Sequence, residues 1–204
     1  MAFSAALQQR RLVLSRAEQV VLSLPLDQGG SYRVVAPDLA AIEAAVAALE
    51  RVPGVSVLPA SGGLLGAMTV SANLSLALCH GQEVDAATLH EWESRLELAL
   101  GLCGVSAQRL RTLGRELPMH MDSMERWLVG LVLRVMRPAE LLVLDRAFAG
   151  LSRRQAGSVM ALVSVYQEFH PFRPVLFVDL DAHGLPGIEG CRETVEIEGV
   201  ACPS

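Results

Sequence analysis

The sequence contains no lysine, and all 17 of its basic residues are arginines. This absence excludes mechanisms that need a lysine Schiff base or a lysine that holds a phosphate group. The formal net charge is −5 and the arginines are scattered singly or in pairs, a pattern that does not predict a surface for a nucleic-acid backbone or an anionic membrane. We therefore expect no nucleic-acid partner.

Long apolar runs are also missing. The stretch from Leu128 to Val135 is interrupted by Arg134, whereas a helix that spans a bilayer needs about 20 apolar residues. No direct membrane insertion and no secretion signal are predicted. The four cysteines form no CxxC pair and the five histidines show no ligand spacing, so we expect reduced thiols, no metal site and a cytoplasmic location.

The apolar residues that are present make up 51% of the chain, which is enough for one sizeable core. Val20–Leu24 and Tyr32–Val35 are predicted to be strands joined by a tight connection, with an alanine-rich helix from Leu39 to Arg51 after them. The other predicted elements are helices at about Val84–Leu102, Asp122–Met136 and Arg153–Phe169, strands at Val55–Leu58, Leu141–Asp145 and Val175–Val178, and an edge strand or hairpin at Arg192–Val200. Apolar strands that alternate with helices indicate an α/β fold with a largely parallel sheet covered on both faces.

The segment PASGGLLGAMTVSANL, from Pro59 to Leu74, is the most informative stretch. It resembles the Q-loop region of the ATPases of Mce/Mla-type bacterial lipid transporters, and the order of elements over nearly the whole chain resembles an ABC-transporter ATPase. The family's glutamine is replaced by Ala60. In that family the residues that follow the glutamine receive the coupling helix of a membrane permease. The matching residues here are Ser61, Gly62, Gly63, Leu64, Leu65, Thr69 and Asn73.

The resemblance implies a P-loop NTPase-like sheet with helices on both faces. It also implies a single domain over residues 1–204, in which a helical subdomain at about 75–137 is inserted into the α/β core. Between the segment that aligns with the family's phosphate loop and Pro59, the chain is shorter than in the family by roughly a few tens of residues, so we expect a shortened antiparallel β subdomain.

The segment Arg33–Leu49 aligns without a gap to the family's phosphate loop, but only Pro37 is retained. The glycines of the loop are replaced by Ala36, Leu39 and Ala41, the lysine by Ile42 and the magnesium-binding hydroxyl by Glu43. Backbone N–H groups, a lysine and a metal ligand are what hold a nucleotide's phosphates in such loops. The degenerate nucleotide site implied by the resemblance comprises Ala36, Pro37, Asp38, Ile42, Glu43, Ala60, Asp145, Arg146 and Leu180.

Four further family motifs are recognisable by position. Asp145 matches the aspartate of the Walker B strand, but Arg146 stands where the catalytic glutamate is expected, and an arginine does not act as a base. Leu180 stands at the switch histidine, while Asp181 matches the residue after it. The D-loop falls at Ala149–Ser152, including Gly150. The signature loop falls near Met121–Glu125, where the carboxylates of Asp122 and Glu125 would repel a phosphate.

These replacements predict a catalytically inactive ABC-ATPase-like subunit with no cofactor, which acts as a structural or regulatory part of a bacterial lipid transporter. Its expected partners are a permease and an ATPase-like partner, either a second copy or an active paralogue, on the cytoplasmic face of the inner membrane. The predicted docking residues are Ser61, Gly62, Gly63, Leu64, Leu65, Thr69, Asn73, Asp122, Glu125, Gly150 and Ser152.

Alternatives remain open at this stage. A rebuilt site could bind ATP and magnesium with charge from Arg33 or Arg146. The chain could also be a stand-alone α/β interaction module. Asp145, Asp179 and Asp181 could bind a divalent ion, or Asp145 could form a salt bridge with Arg146. The methionines Met119, Met121 and Met124, with Trp127, could form an apolar surface or pack within the helical region.

Overall fold

The computed structural model describes residues 3–26, 29–78, 87, 90–91, 94, 97–98, 100–101, 104–135, 139–149, 151–180 and 191–197. The chain forms two compact units, one of Met1–Val57 with Ala139–Ser204 and one of Leu58–Pro138. Within the described ranges, no helix combines the length and the apolar character that a membrane span requires. The helices are α1 (Leu39–Leu49), α2 (Val70–Leu78), α3 (Ala107–Leu113), α4 (Ser123–Val135) and α5 (Arg153–Phe169).

The first unit begins with an antiparallel sheet of three strands in the order β1-β2-β3. These strands are β1 (Phe3–Gln8), β2 (Arg11–Arg16) and β3 (Gln19–Pro25). Two-residue turns join them, and all four turn residues, Gln9, Arg10, Ala17 and Glu18, have φ between 46° and 66°. Such turns usually contain glycine or asparagine. Because neither occurs here, the sequence did not predict β1 and β2.

A second sheet has five strands in the order β5-β6-β7-β4-β8. They are β4 (Gly30–Ala36), β5 (Val55–Leu58), β6 (Leu141–Asp145), β7 (Pro174–Leu180) and β8 (Cys191–Glu196). β4 pairs in parallel with β7 and β8, and β6 pairs in parallel with β7. The predicted parallel sheet is therefore confirmed. The C-terminal segment is an edge strand, as expected, although residues 198–200 lie outside the described ranges.

The first two predicted strands are both present, and they belong to different sheets. Val20–Leu24 lies in β3 of the antiparallel sheet and Tyr32–Val35 lies in β4 of the parallel sheet, so the two do not pair. Asp27 and Gln28 lie outside the described residues. The connection thus passes the chain from one sheet to the other.

Side chains from both sheets and α1 share one core. Val34, Leu176 and Val143 project from one face of the parallel sheet and are buried with Ile42 of α1 and Leu24 of the antiparallel sheet. The opposite face is covered as well, because Gln167 of α5 donates to Ser31 Oγ at 3.2 Å and the rings of Phe148 and Phe177 lie 4.8 Å apart. Strands buried on both faces need no alternation of polar and apolar residues.

The second unit is helical in its described part. The predicted helix from Asp122 corresponds to α4, whereas α3 was not predicted. Of the predicted helix at Val84–Leu102, the described residues are helical and the remainder lie outside the described ranges. Met121 and Trp127 are buried and only Met119 is strongly exposed, at 71%. Packing within the helical region is therefore the main use of these apolar side chains.

Candidate functional site

The first candidate site lies where β4 ends and α1 begins. Only Pro37 and Asp38 connect the two elements. Asp38 caps the helix, since its Oδ1 accepts a hydrogen bond from Ala41 N at 2.7 Å and its carbonyl accepts one from Ile42 N at 3.2 Å. The first backbone N–H groups of a helix are the donors that bind a phosphate in anion sites. Here the Asp38 carboxylate already accepts a hydrogen bond from one of these donors, the Ala41 N–H.

The next two residues of α1 have different environments. Ile42 is 0% exposed and belongs to the core, so its side chain points away from any ligand at the helix start. Glu43 is exposed. A carboxylate on this turn adds negative charge where a nucleotide's phosphates would need positive charge.

Asp145, at the end of β6, forms a bidentate ion pair with its neighbour. Arg146 Nε donates to Asp145 Oδ1 at 2.9 Å and Arg146 Nη2 donates to Oδ2 at 3.0 Å. The Asp145 carboxylate is buried, and its hydrogen bonds raise the pKa of Arg146, as do the nearby charges of Asp145, Glu43 and Asp179. The salt bridge expected as one alternative is confirmed, and both carboxylate oxygens that could bind a metal ion contact the guanidinium instead.

Arg146 adopts a backbone conformation that is rare for a residue with a side chain, with φ of 50°. This conformation costs about 1 kcal/mol or more and persists only where the surroundings hold it. Two backbone hydrogen bonds hold it here: Arg146 N donates to Val178 O at 2.8 Å, and Ala149 N donates to Arg146 O at 3.0 Å.

Asp179, near the end of β7, is 0% exposed, and neither of its carboxylate oxygens has a hydrogen-bond partner in the described part of the chain. Burial raises the pKa of Asp179 to about 7, and the buried Arg33 on the neighbouring strand opposes this shift. The nearby Asp145 carboxylate raises the pKa further, while Arg146 lowers it.

We call the group formed by Asp38, Glu43, Asp145, Arg146 and Asp179 the carboxyl-end site. Negative groups outnumber positive ones in it even when Arg33 is included. Among the residues the structure describes, no group of three or more acidic, histidine or cysteine side chains could hold a metal ion. Asp181, the third member of the predicted acidic cluster, lies outside the described residues.

The second candidate site is the loop Pro59–Thr69 in the helical unit. The buried side chain of Asn73 holds it, because Asn73 Oδ1 accepts from Leu65 N at 2.8 Å and Asn73 Nδ2 donates to the carbonyls of Leu65, Met68 and Thr69 at 3.0–3.2 Å. Thr69 in turn caps α2 by accepting from Ala72 N at 3.2 Å. The loop is thus fixed while Leu65, at 51% exposure, faces solvent.

Two glycines let this loop contact α4. A Cβ added to Gly130 would lie 2.0 Å from Gly62 O, and one added to Gly62 would lie 2.5 Å from Arg126 O. Gly62 and Gly63 also have positive φ values, of 87° and 60°. Of the other predicted docking residues in the loop, Ser61 and Gly63 are exposed and Leu64 is half-buried. Ala60, at the family's glutamine position, is half-buried in the turn that precedes them.

At the signature position the acidic residues have a structural role. Asp122 caps α4 by accepting from Glu125 N at 2.7 Å, and Glu125 accepts in return from Asp122 N at 3.2 Å. Glu125 is also buried against Arg109, whose Nε and Nη2 donate to it at 2.7 and 2.8 Å. Arg109 hydrogen bonds lower the pKa of Glu125, and Arg109 pairs with Glu116 as well. Only Asp122 is exposed, so Glu125 does not add to the outer surface.

The remaining predicted residues lie at the ends of elements. Ser152 caps α5 through a reciprocal pair of hydrogen bonds with Gln155. Leu180 ends β7 and is half-buried, and Gly150 lies outside the described residues. Sequence reasoning missed the cap at Ser152 and the part that Glu125 plays in the cap at Asp122, although Asp122 and Glu125 have the three-residue spacing of a capping box and this signal was available. It also missed Arg109, for which no local pattern exists.

Comparisons with known proteins support the fold. No protein-family model matches the chain, and no curated protein sequence matches it. Among solved structures, the chain is similar to a dimeric bacterial ABC transporter cassette, MJ0796, with 9% identity, a TM-score of 0.58, and coverage of 89% of this chain and 86% of that one. MJ0796 has also been solved in a post-hydrolysis state bound to ADP and phosphate, at 10% identity and a TM-score of 0.57.

A further structure, described as an ATP-binding subunit of an ABC transporter, has 15% identity and a TM-score of 0.59, with coverage of 89% of this chain and 80% of that one. At these identities the likeness concerns the fold. The chain therefore has the fold of an ABC cassette, as expected from the sequence.

A pair of glycine substitutions tests the contact between the loop and α4. Gly130→Ala is expected to destabilise the protein by about 2–3 kcal/mol, because the new methyl group would overlap Gly62 O. Gly157→Ala is the matched control, since a Cβ there meets nothing within 4 Å on α5. It should stabilise the protein by about 0.5–1 kcal/mol through helix propensity. Urea unfolding measures both, and equal effects would contradict the close contact.

The buried carboxyl of Asp179 predicts a pH-dependent stability. With a folded-state pKa of about 7 and an unfolded-state pKa of about 3.9, the native state binds more protons between these values, so stability falls as the pH rises through this window. Asp179→Asn removes the effect. The stability advantage of the variant over the wild type should grow by about 2–3 kcal/mol between pH 5 and pH 8. Thermal unfolding across pH, with the exposed Glu50→Gln as control, measures this, and parallel curves would contradict it.

Proposed function

We propose that this chain is a catalytically inactive ABC-ATPase-like subunit that serves as a structural or regulatory component of a bacterial ABC transporter. It binds proteins rather than ATP. The cassette fold makes an ABC assembly the first context to consider, because the similar MJ0796 cassette is described as dimeric and as bound to ADP and phosphate. The carboxyl-end site is what argues against nucleotide use by this chain.

One observation carries the proposal: side chains of the protein itself contact the groups that would otherwise bind the phosphates and the magnesium ion of a nucleotide. The Asp38 carboxylate accepts from the start of α1, where a phosphate would bind, and the Arg146 guanidinium covers both oxygens of Asp145, where a magnesium ion would bind. Phosphoryl transfer depends on positive charge around the phosphates. An added nucleotide would meet excess negative charge in this site.

The alternative of a rebuilt nucleotide site has less support. Arg33 is 7% exposed, and Arg146 is engaged by Asp145. Either arginine would have to leave these surroundings to reach a phosphate, and freeing Arg146 would leave the Asp145 charge buried without its partner, which costs several kcal/mol.

The proposed docking surface for a permease is the loop Pro59–Thr69. Asn73 fixes the loop backbone and Leu65 is left exposed on it, and a rigid loop loses little entropy when a partner binds. The resemblance of Pro59–Leu74 to the Q-loop region of Mce/Mla-type ATPases supports a lipid transporter as the assembly. An ATPase-like partner, either a second copy or an active paralogue, would pack at Ala149–Ser152. The complex would lie on the cytoplasmic face of the inner membrane.

Calorimetric titration with ATP and magnesium tests the nucleotide part. The expected result is no saturable heat up to about 1 mM nucleotide, a limit that corresponds to a binding free energy weaker than about −4 kcal/mol. Thermal unfolding with the same ligand should show no increase in the midpoint. Saturable binding that Asp145→Ala abolishes would instead support a rebuilt nucleotide site and contradict this part of the proposal.

Co-purification from native membranes tests the docking part. Leu65→Asp places a charge at an exposed position and should abolish recovery of the permease and the ATPase partner without changing stability. Val20→Asp, at a 56% exposed position in the antiparallel sheet, is the matched control and should leave recovery unchanged. Recovery of neither partner by the wild type would favour a stand-alone interaction module.

A further inference from the structure

A cleft of about 320 Å³ lies in the first unit, at the amino-terminal ends of β6 and β7. This is the opposite end of the strands from the carboxyl-end site, and the proposed function makes no use of it. The β1–β2 turn, the end of β3 and the segments that lead into β6 and β7 form its walls. We call it the hairpin cleft, and its lining includes Leu7, Arg10, Leu26, Glu140, Phe172 and Arg173.

Backbone hydrogen bonds and one close contact fix the walls of the cleft. Leu26 N donates to the Arg10 carbonyl at 2.7 Å, which ties the turn to the end of β3, and Glu140 N donates to Gly54 O at 2.7 Å. Close contact holds the segment before β7, because a Cβ on Gly29 would lie 2.0 Å from Pro171 O. A site framed by backbone contacts needs little reorganisation when a ligand binds.

The charged groups of the cleft are available to a ligand. Arg10 is exposed, and it has no ion pair or side-chain hydrogen bond in the part of the chain that the structure describes. Arg173 donates through Nη1 to the Ala139 carbonyl, which orients its guanidinium beside the cleft. Glu140 lines the same cleft without forming an ion pair with either arginine within the described ranges. Guanidinium groups bind carboxylates strongly, and a carboxylate binds an ammonium group.

The lining of the cleft also has an apolar part. Phe172 is 67% exposed at the cleft, while Leu26 is buried. The exposed Phe172 ring offers a face for stacking. The volume of about 320 Å³ is about twice that of a known 150 Å³ protein cavity that holds benzene, which leaves room for a ring together with a short charged group.

We infer that the hairpin cleft binds a small zwitterion of the amino-acid type with an aromatic or apolar side chain. Arg10 and Arg173 bind the carboxylate of the ligand, Glu140 binds its ammonium group, and Phe172 packs against its side chain. A simple anion would leave Glu140 as a repulsive neighbour, and a simple cation would meet two guanidinium groups. A ligand with both charges satisfies all three residues.

Three probes with the same ring separate the contributions: L-phenylalanine, 3-phenylpropionate, which lacks the ammonium group, and phenethylammonium, which lacks the carboxylate. Calorimetry on the full chain should show saturable binding of phenylalanine, binding of phenylpropionate at least about tenfold weaker, and no binding of phenethylammonium. Absence of saturable phenylalanine binding up to about 10 mM, or equal binding of phenylalanine and phenylpropionate, would overturn the inference.

Variants at exposed positions identify the site. Arg10→Gln and Phe172→Ser should each weaken phenylalanine binding by about tenfold or more, and Glu140→Gln should remove the preference over phenylpropionate. Arg51→Gln, an exposed arginine outside the cleft lining, is the matched control and should bind like the wild type. Unchanged binding by Arg10→Gln would overturn the assignment. No nucleotide takes part, so the result is independent of the proposed pseudo-ATPase role.

Discussion

The bidentate ion pair between Asp145 and Arg146 is the interaction on which the carboxyl-end site depends. It keeps a buried carboxylate compensated, and the arginine that provides it has a positive φ. The bonds from Arg146 N to Val178 O and from Ala149 N to Arg146 O fix that conformation. The ends of β6 and β7 are thereby joined through one residue. Asp179 has no hydrogen-bond partner among the described residues, and burial raises the pKa of its carboxyl.

Much of the fold could be predicted because the buried parallel strands and the longest helices have strong local patterns. β4, β6 and β7 are short apolar runs, and α1, α4 and α5 begin at residues with capping side chains. The first two strands could not be predicted, since their turns are Gln9-Arg10 and Ala17-Glu18, where tertiary packing imposes positive φ on residues that do not favour it. The membership of β3 in a separate sheet depends on long-range pairing, for which the local sequence contains no signal.

The candidate site was predictable in its residue identities and less so in its contacts. The pairing of Asp145 with Arg146 was one of the expected alternatives, because the two residues are neighbours in the sequence. The burial of Glu125 does not, because Arg109 is 16 residues away along the chain and reaches it only in the folded unit. Likewise, the approach of Gly62 to Gly130 depends on tertiary packing. Contacts between neighbouring residues can be predicted from the sequence, whereas the distant partner of a buried charge depends on the fold.

The helix α1 begins directly after Asp38, and this limits what single substitutions can change at this end of the sheet. Residues after Asp38 already form helical hydrogen bonds, beginning with Ile42 N to Asp38 O, and Ile42 fills part of the core. A phosphate-binding loop at this position would need the first turn to unwind, several glycines to appear and a buried isoleucine to become a charged residue. Each intermediate would lose stability before gaining any affinity for phosphate. No single substitution would therefore create a phosphate-binding loop at this end of the sheet.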